Sequence, residues 1–325
     1  MSSRENMPPD EVLFVDDEEN VLNAVERLFK FSRYRTVRAH NANEALDILS
    51  AGNIAVVVSD NQMPGMKGVE LLGRTKLVAP DTVRILMTAY ADLPTALDAI
   101  NMGEVYKFVV KPWDNDDLVR TVDAAVERFG TIRSLRNADE NTMRSIAQTI
   151  ELKDHHTRGH CDRVAEYSLL MADTLGLPIE TKREIKYGSW LHDCGKIGVP
   201  EAILNADRRL YEDEFNVIKN HPAWGAEVAR LARLPEIIVN IILCHHEHYD
   251  GMGYPAGLTA EKIPVEARIV AVADVYDAIT SHRPYSRALD VDHAIFRMME
   301  MRGRKLDPGL LDMFIDCIRG NGTKP

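Results

Sequence analysis

The chain has 325 residues, which is long for one ordinary domain and suits two domains, each with a core of its own. The formal net charge of −11 argues against a large basic surface for duplex DNA, and hence against a transcription factor. The four cysteines form no CxxC pair, the first residues contain no apolar signal core, and no apolar run is long enough to span a membrane. We therefore expect a cytoplasmic protein that engages neither DNA nor a membrane.

Residues 10–128 alternate short apolar runs with amphipathic segments. The β-rich runs lie at 12–15, 34–39, 54–58, 84–88 and 105–110, and the helix-like segments lie near 20–31, 43–51, 67–77, 93–101 and 114–128. Near-continuous apolar strands indicate a parallel sheet that is covered on both faces. We predict an α/β doubly wound domain with a five-stranded parallel sheet over 10–128, preceded by a disordered N-terminus at 1–9.

Beyond Trp113 the pattern changes to that of helices. No proline occurs before Pro178, and no convincing strand run follows. Helical periodicity appears in segments such as 161–175, 225–244 and 263–281. We predict an all-α domain over 145–320, followed by a C-terminal tail at 321–325.

A helical linker is predicted at 129–144, because a narrow apolar seam continues into it from the first domain. The seam recurs every three or four residues, at Leu118, Val122, Ala125, Phe129, Ile132 and Leu135. It could pair with its twin in a homodimer or pack against its own domain. The seam is short and Gly130 weakens the helix by about 1 kcal/mol, so both interpretations stay open.

Three carboxylates follow predicted strands of the first domain. Asp16 and Asp17 end the first strand and Asp60 ends the third, which places them at the carboxyl edge of the sheet. They would repel one another unless a hard divalent ion such as Mg²⁺ lay among them, and one aspartate could then attack a phosphoryl donor. Thr88 and Lys111 close the next two strands, so a hydroxyl and an ammonium can reach a phosphoryl group on Asp60.

These residues resemble the response-regulator receiver family. The resemblance covers residues 10–128 and rests on the DD pair, SDNQMPGMKG at 59–68, MTAY at 87–90 and KFVVKPW at 107–113. It implies a flavodoxin-like fold, Asp60 as the phosphate acceptor and a sensor histidine kinase as partner. The implied Mg²⁺ ligands are Asp16, Asp17, Asp60 and the backbone carbonyl of Gln62, and the implied switch residues are Thr88, Phe108 and Lys111. Lys111–Pro112 would be a cis bond.

Histidines and aspartates concentrate in the second half of the chain, in HTRGH at 156–160, HDCGK at 192–196 and HHEHYDGMGYP at 245–255. These motifs offer more imidazole and carboxylate ligands than one metal ion can bind, which predicts a multinuclear metal site that catalyses hydrolysis. The candidate ligands are His160, His192, Asp193, His221, His245, His246 and Asp274. Cysteines beside three of these ligands could make a zinc-thiolate site, but the lack of paired spacing favours buried filler: Cys161, Cys194 and Cys244.

Two further residues have chemistry that suits such a site. Lys196 follows His192 by one helical turn and would share its face, so its ammonium can point at a metal-bound phosphate. Asp274 lies in the largely apolar run RIVAVADVYDAI, where a bare carboxylate is costly unless it is paired or binds a metal.

The motifs together, with VADVYDA at 272–278 and SHRPYS at 281–286, resemble the HD-GYP subgroup of the HD phosphohydrolase superfamily over about 145–320. The resemblance implies hydrolysis of cyclic di-GMP to pGpG or GMP at two or three divalent transition metals, most often Fe or Mn. The implied catalytic residues are His192, Asp193 and Lys196, and the implied substrate contacts are Lys196, Gly253, Tyr254, Pro255 and Arg283. Bound metals would lower the pKa of a water toward about 7, so no side-chain nucleophile is needed.

The third metal depends on one position. Three-metal members of the family have a glutamate four residues before the histidine that matches His160, and this chain has His156 there. His156 could bind a third metal from the same helix face, or it could be solvent-exposed. Two metals are therefore expected, with His156 as an optional ligand.

A receiver and a hydrolase on one chain predict degradation of a messenger under the control of phosphorylation. Diguanylate cyclase proteins are a further hypothesis as partners. Two other functions stay open: a non-catalytic cyclic di-GMP sensor that signals through protein partners, and an HD phosphohydrolase of another nucleotide.

Overall fold

The structure, a computed structural model, describes residues 10–89, 105–154, 159–281 and 288–320. It divides into two compact units, Met1–Ala138 and Asp139–Pro325, each with its own core. The helix predicted near 93–101 and the two terminal segments, 1–9 and 321–325, lie outside the described residues. The finer domain limits stay predictions.

The first unit is built on a five-stranded sheet. Its strands are β1 (Glu11–Val15), β2 (Arg35–Ala39), β3 (Ile54–Asp60), β4 (Val83–Ala89) and β5 (Lys107–Lys111). They pair in parallel in the order β2-β1-β3-β4-β5, and β3 is buried along its whole length. This arrangement confirms the doubly wound fold that the apolar runs predicted.

Helices cover both faces of the sheet, because successive strand residues point to opposite sides. The helices described in this unit are α1 (Glu19–Phe29), α2 (Ala42–Ser50), α3 (Gly68–Val78) and the start of α4 (Asn115–Lys153). Phe14 and Val58 pack on one face with residues of α1 and α4. Leu13 and Val57 pack on the other face with residues of α2 and α3.

The apolar seam of α4 is used largely inside the first unit. Leu118, Val122, Ala125 and Phe129 are buried in its core, whereas the side chain of Leu135 is 64% exposed. Of the two interpretations of the seam, these contacts favour packing against its own domain. A homodimer through this helix stays a prediction, and it would have to form without the four buried residues.

The second unit is helical, as the sequence predicted. After the end of α4 its helices are α5 (His160–Thr174), α6 (Ile179–Leu191), α7 (Glu201–Leu204), α8 (Glu212–Ile218), α9 (His221–Leu231), α10 (Glu236–Cys244), α11 (Val265–Thr280), α12 (Val291–Met299) and α13 (Pro308–Ile318). Short 3-10 helices span Cys194–Gly198 and Ala260–Lys262. Its described residues form isolated bridges but no strand. Nowhere in the described ranges does a helix combine the length and apolarity that a membrane span requires.

The periodic segment 225–244 is divided into two helices. Pro235 disfavours helical backbone at Leu234, and Arg233 adopts a left-handed φ of 56°, so α9 ends and α10 begins anew. The turn folds α10 back beside α9. As a result, His221 at the start of α9 and His245 just past α10 lie at the same end of the pair.

Candidate metal centre and acidic sheet edge

One group of potential ligands comes from three helices of the second unit. His160 begins α5, His192 directly follows α6, and Asp274 lies within α11. The Nε2 atom of His160 lies 3.4 Å from Nε2 of His192 and 3.4 Å from Oδ1 of Asp274. The two imidazoles are buried, so the group has the spacing and the nitrogen and oxygen donors of a cation site.

A second group lies beside the first. It consists of Asp193, His221, His245 and His246, whose nearest donor atoms all lie within 4.8 Å of one another. The Nε2 atoms of His221 and His245 are 3.4 Å apart. The two groups together contain all seven ligands predicted from the sequence, and the optional ligand His156 lies outside the described residues.

Asp193 faces both groups with different oxygens. Its Oδ2 lies 3.4 Å from Nε2 of His192, and its Oδ1 lies 3.2 Å from Nε2 of His221. Oδ2 of Asp193 therefore faces a residue of the first group, and Oδ1 faces a residue of the second group. A carboxylate placed in this way can give one oxygen to each of two metal ions.

The hydrogen bonds of the imidazoles fix which nitrogen is available. The Nδ1 atoms of His192 and His221 donate to the backbone carbonyls of Ser189 and Ile218, at 2.7 Å in both cases. Nδ1 of His245 is likewise held by backbone carbonyls at the end of α10. In the neutral ring each Nε2 is then an acceptor, and two acceptors that face one another at 3.4 Å need either a shared proton or a cation between them.

The charges of the buried groups also favour a cation. Burial opposes ionisation of Asp193, but Lys196 and His192 hold its pKa well below the usual range. Burial also lowers the pKa of His192, yet Asp193 outweighs this effect and raises it to about 9. Burial and the neighbouring imidazoles lower the pKa of His245 to about 3. Without a bound metal, Asp193 therefore attracts a proton to His192, and a divalent ion that displaced this proton would be held by anionic oxygen and imidazole nitrogen.

The cysteines beside the ligands do not join these groups in the described structure. Burial raises the pKa of both Cys194 and Cys244 to about 12, and it raises the pKa of Cys161 well above its usual value. Thiols of this kind stay protonated at neutral pH and are poor metal ligands. The interpretation of the cysteines as buried filler is therefore favoured over a zinc-thiolate site.

Lys196 lies in a 3-10 helix and not in the α-helix that the sequence predicted. Helix α6 ends at Leu191, and Lys196 lies in the 3-10 helix that follows rather than one turn further along the same α-helix. Its Nζ donates to Oδ2 of Asp193 at 2.7 Å and to Oδ2 of Asp154 at 2.9 Å. Burial opposes the charge, but the two carboxylates raise the pKa of Lys196 above its usual value. The ammonium therefore stays charged beside the proposed ligands.

Asp277 is a functional candidate that the sequence analysis missed. Its Oδ2 accepts a hydrogen bond from Nδ1 of His160 at 2.7 Å, and its Oδ1 accepts one from Nε of Arg163 at 2.5 Å. Burial opposes its charge, yet His160 and Arg163 lower the pKa of Asp277 to about 2. Its spacing of three residues from Asp274 on one helix was the available signal. The carboxylate orients the imidazole of His160.

Replacing Asp277 by asparagine should weaken metal binding without removing a ligand. We expect the Asp277→Asn variant to bind the metal at least about 10-fold more weakly, because the amide orients the His160 ring less firmly. Competition with a chromophoric chelator measures this affinity. The matched control is Asp316→Asn, an exposed carboxylate of α13, and equal affinities in the two variants would contradict the role of Asp277.

The segment with the sequence GYP packs against His246, one of the proposed ligands. The ring of Tyr254 lies over that of His246, with centroids 4.8 Å apart. A Cβ atom on Gly253 would lie 2.2 Å from the backbone nitrogen of His248, so only glycine fits there. The buried carboxylate of Glu247 accepts hydrogen bonds from the amides of Ala256 and Leu258 and holds the loop. Arg283, the remaining predicted substrate contact, lies outside the described residues.

At the edge of the sheet, the predicted acidic site is assembled. Donor atoms of Asp16, Asp17 and Asp60 lie within 4.8 Å of one another. Nζ of Lys111 bonds Asp16 at 2.8 Å and Asp60 at 2.7 Å, and the amide of Gln62 donates to Asp60 at 3.0 Å. Burial raises the pKa of Asp16 in spite of Lys111. The pocket therefore still gains from further positive charge, which is what Mg²⁺ would supply.

The other predicted positions of this edge are also in place. Thr88 is fully buried near the end of β4, and Phe108 on β5 is partly buried against one face of the core. The Lys111–Pro112 bond is cis, as the receiver resemblance implied. A Cβ atom on Gly68 would lie 2.1 Å from the carbonyl oxygen of Asp60, so glycine is required where α3 begins beside the acidic site.

Comparisons with known proteins agree with both halves of this description. The sequence-family model of the response regulator receiver domain matches residues 12–123, and the sequence-family model of the HD domain matches residues 144–310. The HD match alone covers more than half of the chain. Together they define a response regulator whose output domain is an HD domain.

Three relatives illustrate the family. The cyclic di-GMP phosphodiesterase response regulator RpfG of Xanthomonas campestris pv. campestris is 35% identical over 304 residues, which cover 86% of this chain and 80% of the relative. A cyclic di-GMP phosphodiesterase of Thermotoga maritima is 28% identical over 94% of this chain and 89% of its own length. A 3'3'-cGAMP-specific phosphodiesterase of Vibrio cholerae is 31% identical over 58% of this chain and 37% of its own length. This chain belongs to the family of HD-domain response regulators that includes cyclic di-GMP phosphodiesterases.

Proposed function

We propose that the chain is a metal-dependent phosphodiesterase that hydrolyses cyclic di-GMP to pGpG, GMP or both, and that phosphorylation of Asp60 controls it. The observation that carries the proposal is the position of Asp193, whose two oxygens face two separate groups of ligands. The activity of the relatives named above supports the choice of substrate. A histidine kinase is the expected source of the phosphoryl group, because the first unit belongs to the receiver family.

The residues present suggest how such a site works. Divalent ions bound by these ligands supply Lewis acidity and lower the pKa of water toward about 7. The carboxylate of Asp193 and the imidazoles around it would hold the ions, and the hydrogen bonds from Nδ1 to backbone carbonyls keep the rings in the required tautomer. The ammonium of Lys196 stabilises negative charge that develops on a phosphate beside Asp193. Iron or manganese suits this donor set, and two ions match its two groups.

Metal analysis coupled to turnover tests the proposal. We expect purified protein to contain about two transition-metal ions per chain and to hydrolyse cyclic di-GMP, with pGpG or GMP as product. Removal of the metal by a chelator should lower the rate by at least about 10³, and Mn²⁺ or Fe²⁺ should restore it. Metal-loaded protein that binds cyclic di-GMP and leaves it intact would contradict the proposal and support the alternative of a non-catalytic sensor.

A substrate panel separates the second alternative. The Vibrio cholerae relative is named for another cyclic dinucleotide, so 3'3'-cGAMP belongs in the panel beside cyclic di-GMP. We expect kcat/KM to be larger for cyclic di-GMP than for 3'3'-cGAMP, because the two relatives that cover most of this chain are named as cyclic di-GMP phosphodiesterases.

The control by Asp60 is tested in the same assay. Beryllofluoride, which mimics a phosphoryl group on Asp60, should change the rate of hydrolysis.

A further inference from the structure

The last turn of α4 holds the segment that carries Lys196. Nζ of Lys153 lies 2.6 Å from the carbonyl oxygens of Ile197 and Val199 and 3.3 Å from that of Lys196. These three acceptors match the three N–H donors of one ammonium group. They surround the end of the 3-10 helix Cys194–Gly198, where the carbonyl of Lys196 also accepts a hydrogen bond from the amide of Val199 at 3.0 Å.

The ammonium of Lys153 is electrostatically favourable at the end of this 3-10 helix. The carbonyls at the end of a helix carry partial negative charge, so a lysine ammonium stabilises them. A five-residue 3-10 helix has few hydrogen bonds of its own, and its position depends on outside contacts. Lys153 supplies three such contacts from the end of the 39-residue helix α4.

The residue after Lys153 holds the same lysine from its other end. The carboxylate of Asp154 bonds Nζ of Lys196 at 2.9 Å, while the ammonium of Lys153 bonds the backbone carbonyl of Lys196. The backbone of Lys153 is itself fixed, because its carbonyl accepts a hydrogen bond from Nδ2 of Asn205 at 2.9 Å. Two consecutive residues therefore constrain both the main chain and the ammonium of Lys196.

The same turn fixes the start of α5. The carboxylate of Glu151 accepts hydrogen bonds from the amides of Gly159 and Cys161, each at 2.8 Å. These amides flank His160, a proposed ligand. The end of α4 thus contacts two segments of the site by hydrogen bonds, through Glu151 on one side and Lys153 on the other.

We propose that Lys153 is a positioning residue of the phosphodiesterase site, which sets the place of the Lys196 ammonium by binding the carbonyls of its 3-10 helix. This inference rests on the proposed function. Among the described residues, the ammonium of Lys153 bonds backbone carbonyls and none of the proposed metal ligands. It acts through Lys196, so its removal should impair catalysis only where Lys196 is present.

Kinetics of the full-length protein test the inference. Lys153→Met keeps the length and apolar stem of the side chain and removes the ammonium. We expect kcat/KM for cyclic di-GMP to fall about 10- to 100-fold, with most of the loss in kcat, because a displaced charge stabilises the transition state poorly. Lys153→Arg keeps the charge and should recover most of the activity. Lys262→Met, at an exposed lysine of the other 3-10 helix, is the matched control and should behave as wild type.

A double-mutant cycle separates positioning from general damage to the fold. In a Lys196→Met background, Lys153→Met should change kcat/KM by less than about twofold, because the group through which it acts is gone. An equal effect in both backgrounds would overturn the inference. Wild-type kcat/KM in a folded Lys153→Met variant would overturn it as well.

Amide hydrogen exchange supplies a readout that needs no substrate. We expect residues 194–199 to exchange faster in Lys153→Met than in wild type, while Lys262→Met leaves them unchanged. If Lys153→Met does not fold, Lys153→Gln, which keeps neutral N–H donors, is compared in its place. Unchanged exchange would overturn the inference. A wild-type protein that does not cleave cyclic di-GMP would overturn the proposed function, and exchange would still decide the role of Lys153.

Discussion

Replacing Asp193 by alanine should abolish hydrolysis of cyclic di-GMP. We expect kcat/KM to fall by at least about 10³, because this carboxylate is the one group whose two oxygens face both sets of described ligands. The metal content should fall in parallel, since each set loses an anionic donor. Elemental analysis and product chromatography on the same preparation measure the two effects.

The same change removes a buried partner of Lys196, so its effect on folding has to be separated from that on catalysis. Breaking a buried ion pair costs roughly 3–5 kcal/mol, although Asp154 still neutralises part of the charge. Asp193→Asn keeps the volume and serves as a second variant, and Asp316→Ala removes an exposed carboxylate as the control. Near wild-type activity in a folded Asp193 variant would refute the assignment of the site.

Replacing Asp60 by asparagine should abolish phosphorylation of the receiver domain. The amide lacks the nucleophilic carboxylate oxygen, so we expect phosphoryl uptake from acetyl phosphate to fall by at least about 10². Intact-protein mass spectrometry follows the single phosphoryl group. If beryllofluoride changes the hydrolysis rate of wild type, the Asp60→Asn variant should not respond to it.

A control addresses the contacts that Asp60 makes before it is phosphorylated. Asp60 accepts hydrogen bonds from Lys111 and from the amide of Gln62, and the substitution weakens the first of these. Circular dichroism should show that the variant folds. Asp47→Asn, at an exposed carboxylate of α2, should take up phosphate as wild type does. Undiminished uptake in the folded Asp60→Asn variant would show that another residue is the acceptor.

Much of the fold was predictable because its signals are local. Apolar runs such as the one in β3 are buried on both faces, and strand ends carry Asp16 and Asp60 to one edge of the sheet. The proposed metal ligands were recognisable because imidazole and carboxylate groups are scarce in apolar helices unless they have a role. Asp274 is an example, since it lies in a helix that is otherwise mostly buried and apolar.

Contacts that join distant segments were not predictable in the same way. Nothing in the spacing of Lys153 and Val199 shows that an ammonium meets a carbonyl 46 residues along the chain. The spacing of His192 and Lys196 predicts one continuous helix, because a sequence pattern does not show where an α-helix gives way to a 3-10 helix. Asp277 has an i, i+3 neighbour in Asp274, but its partner His160 lies on another helix.

The burial of Phe129 attaches the start of the predicted linker to the core of the first unit. Its side chain is only 7% exposed, and Arg133 and Arg136 further along α4 pair with Asp10 and Asp81. A fragment truncated after residue 128 would uncover part of the hydrophobic interior and lose both ion pairs. The part of α4 that carries Phe129, Arg133 and Arg136 therefore stabilises the first unit. Packing constrains its sequence as much as any signalling role does.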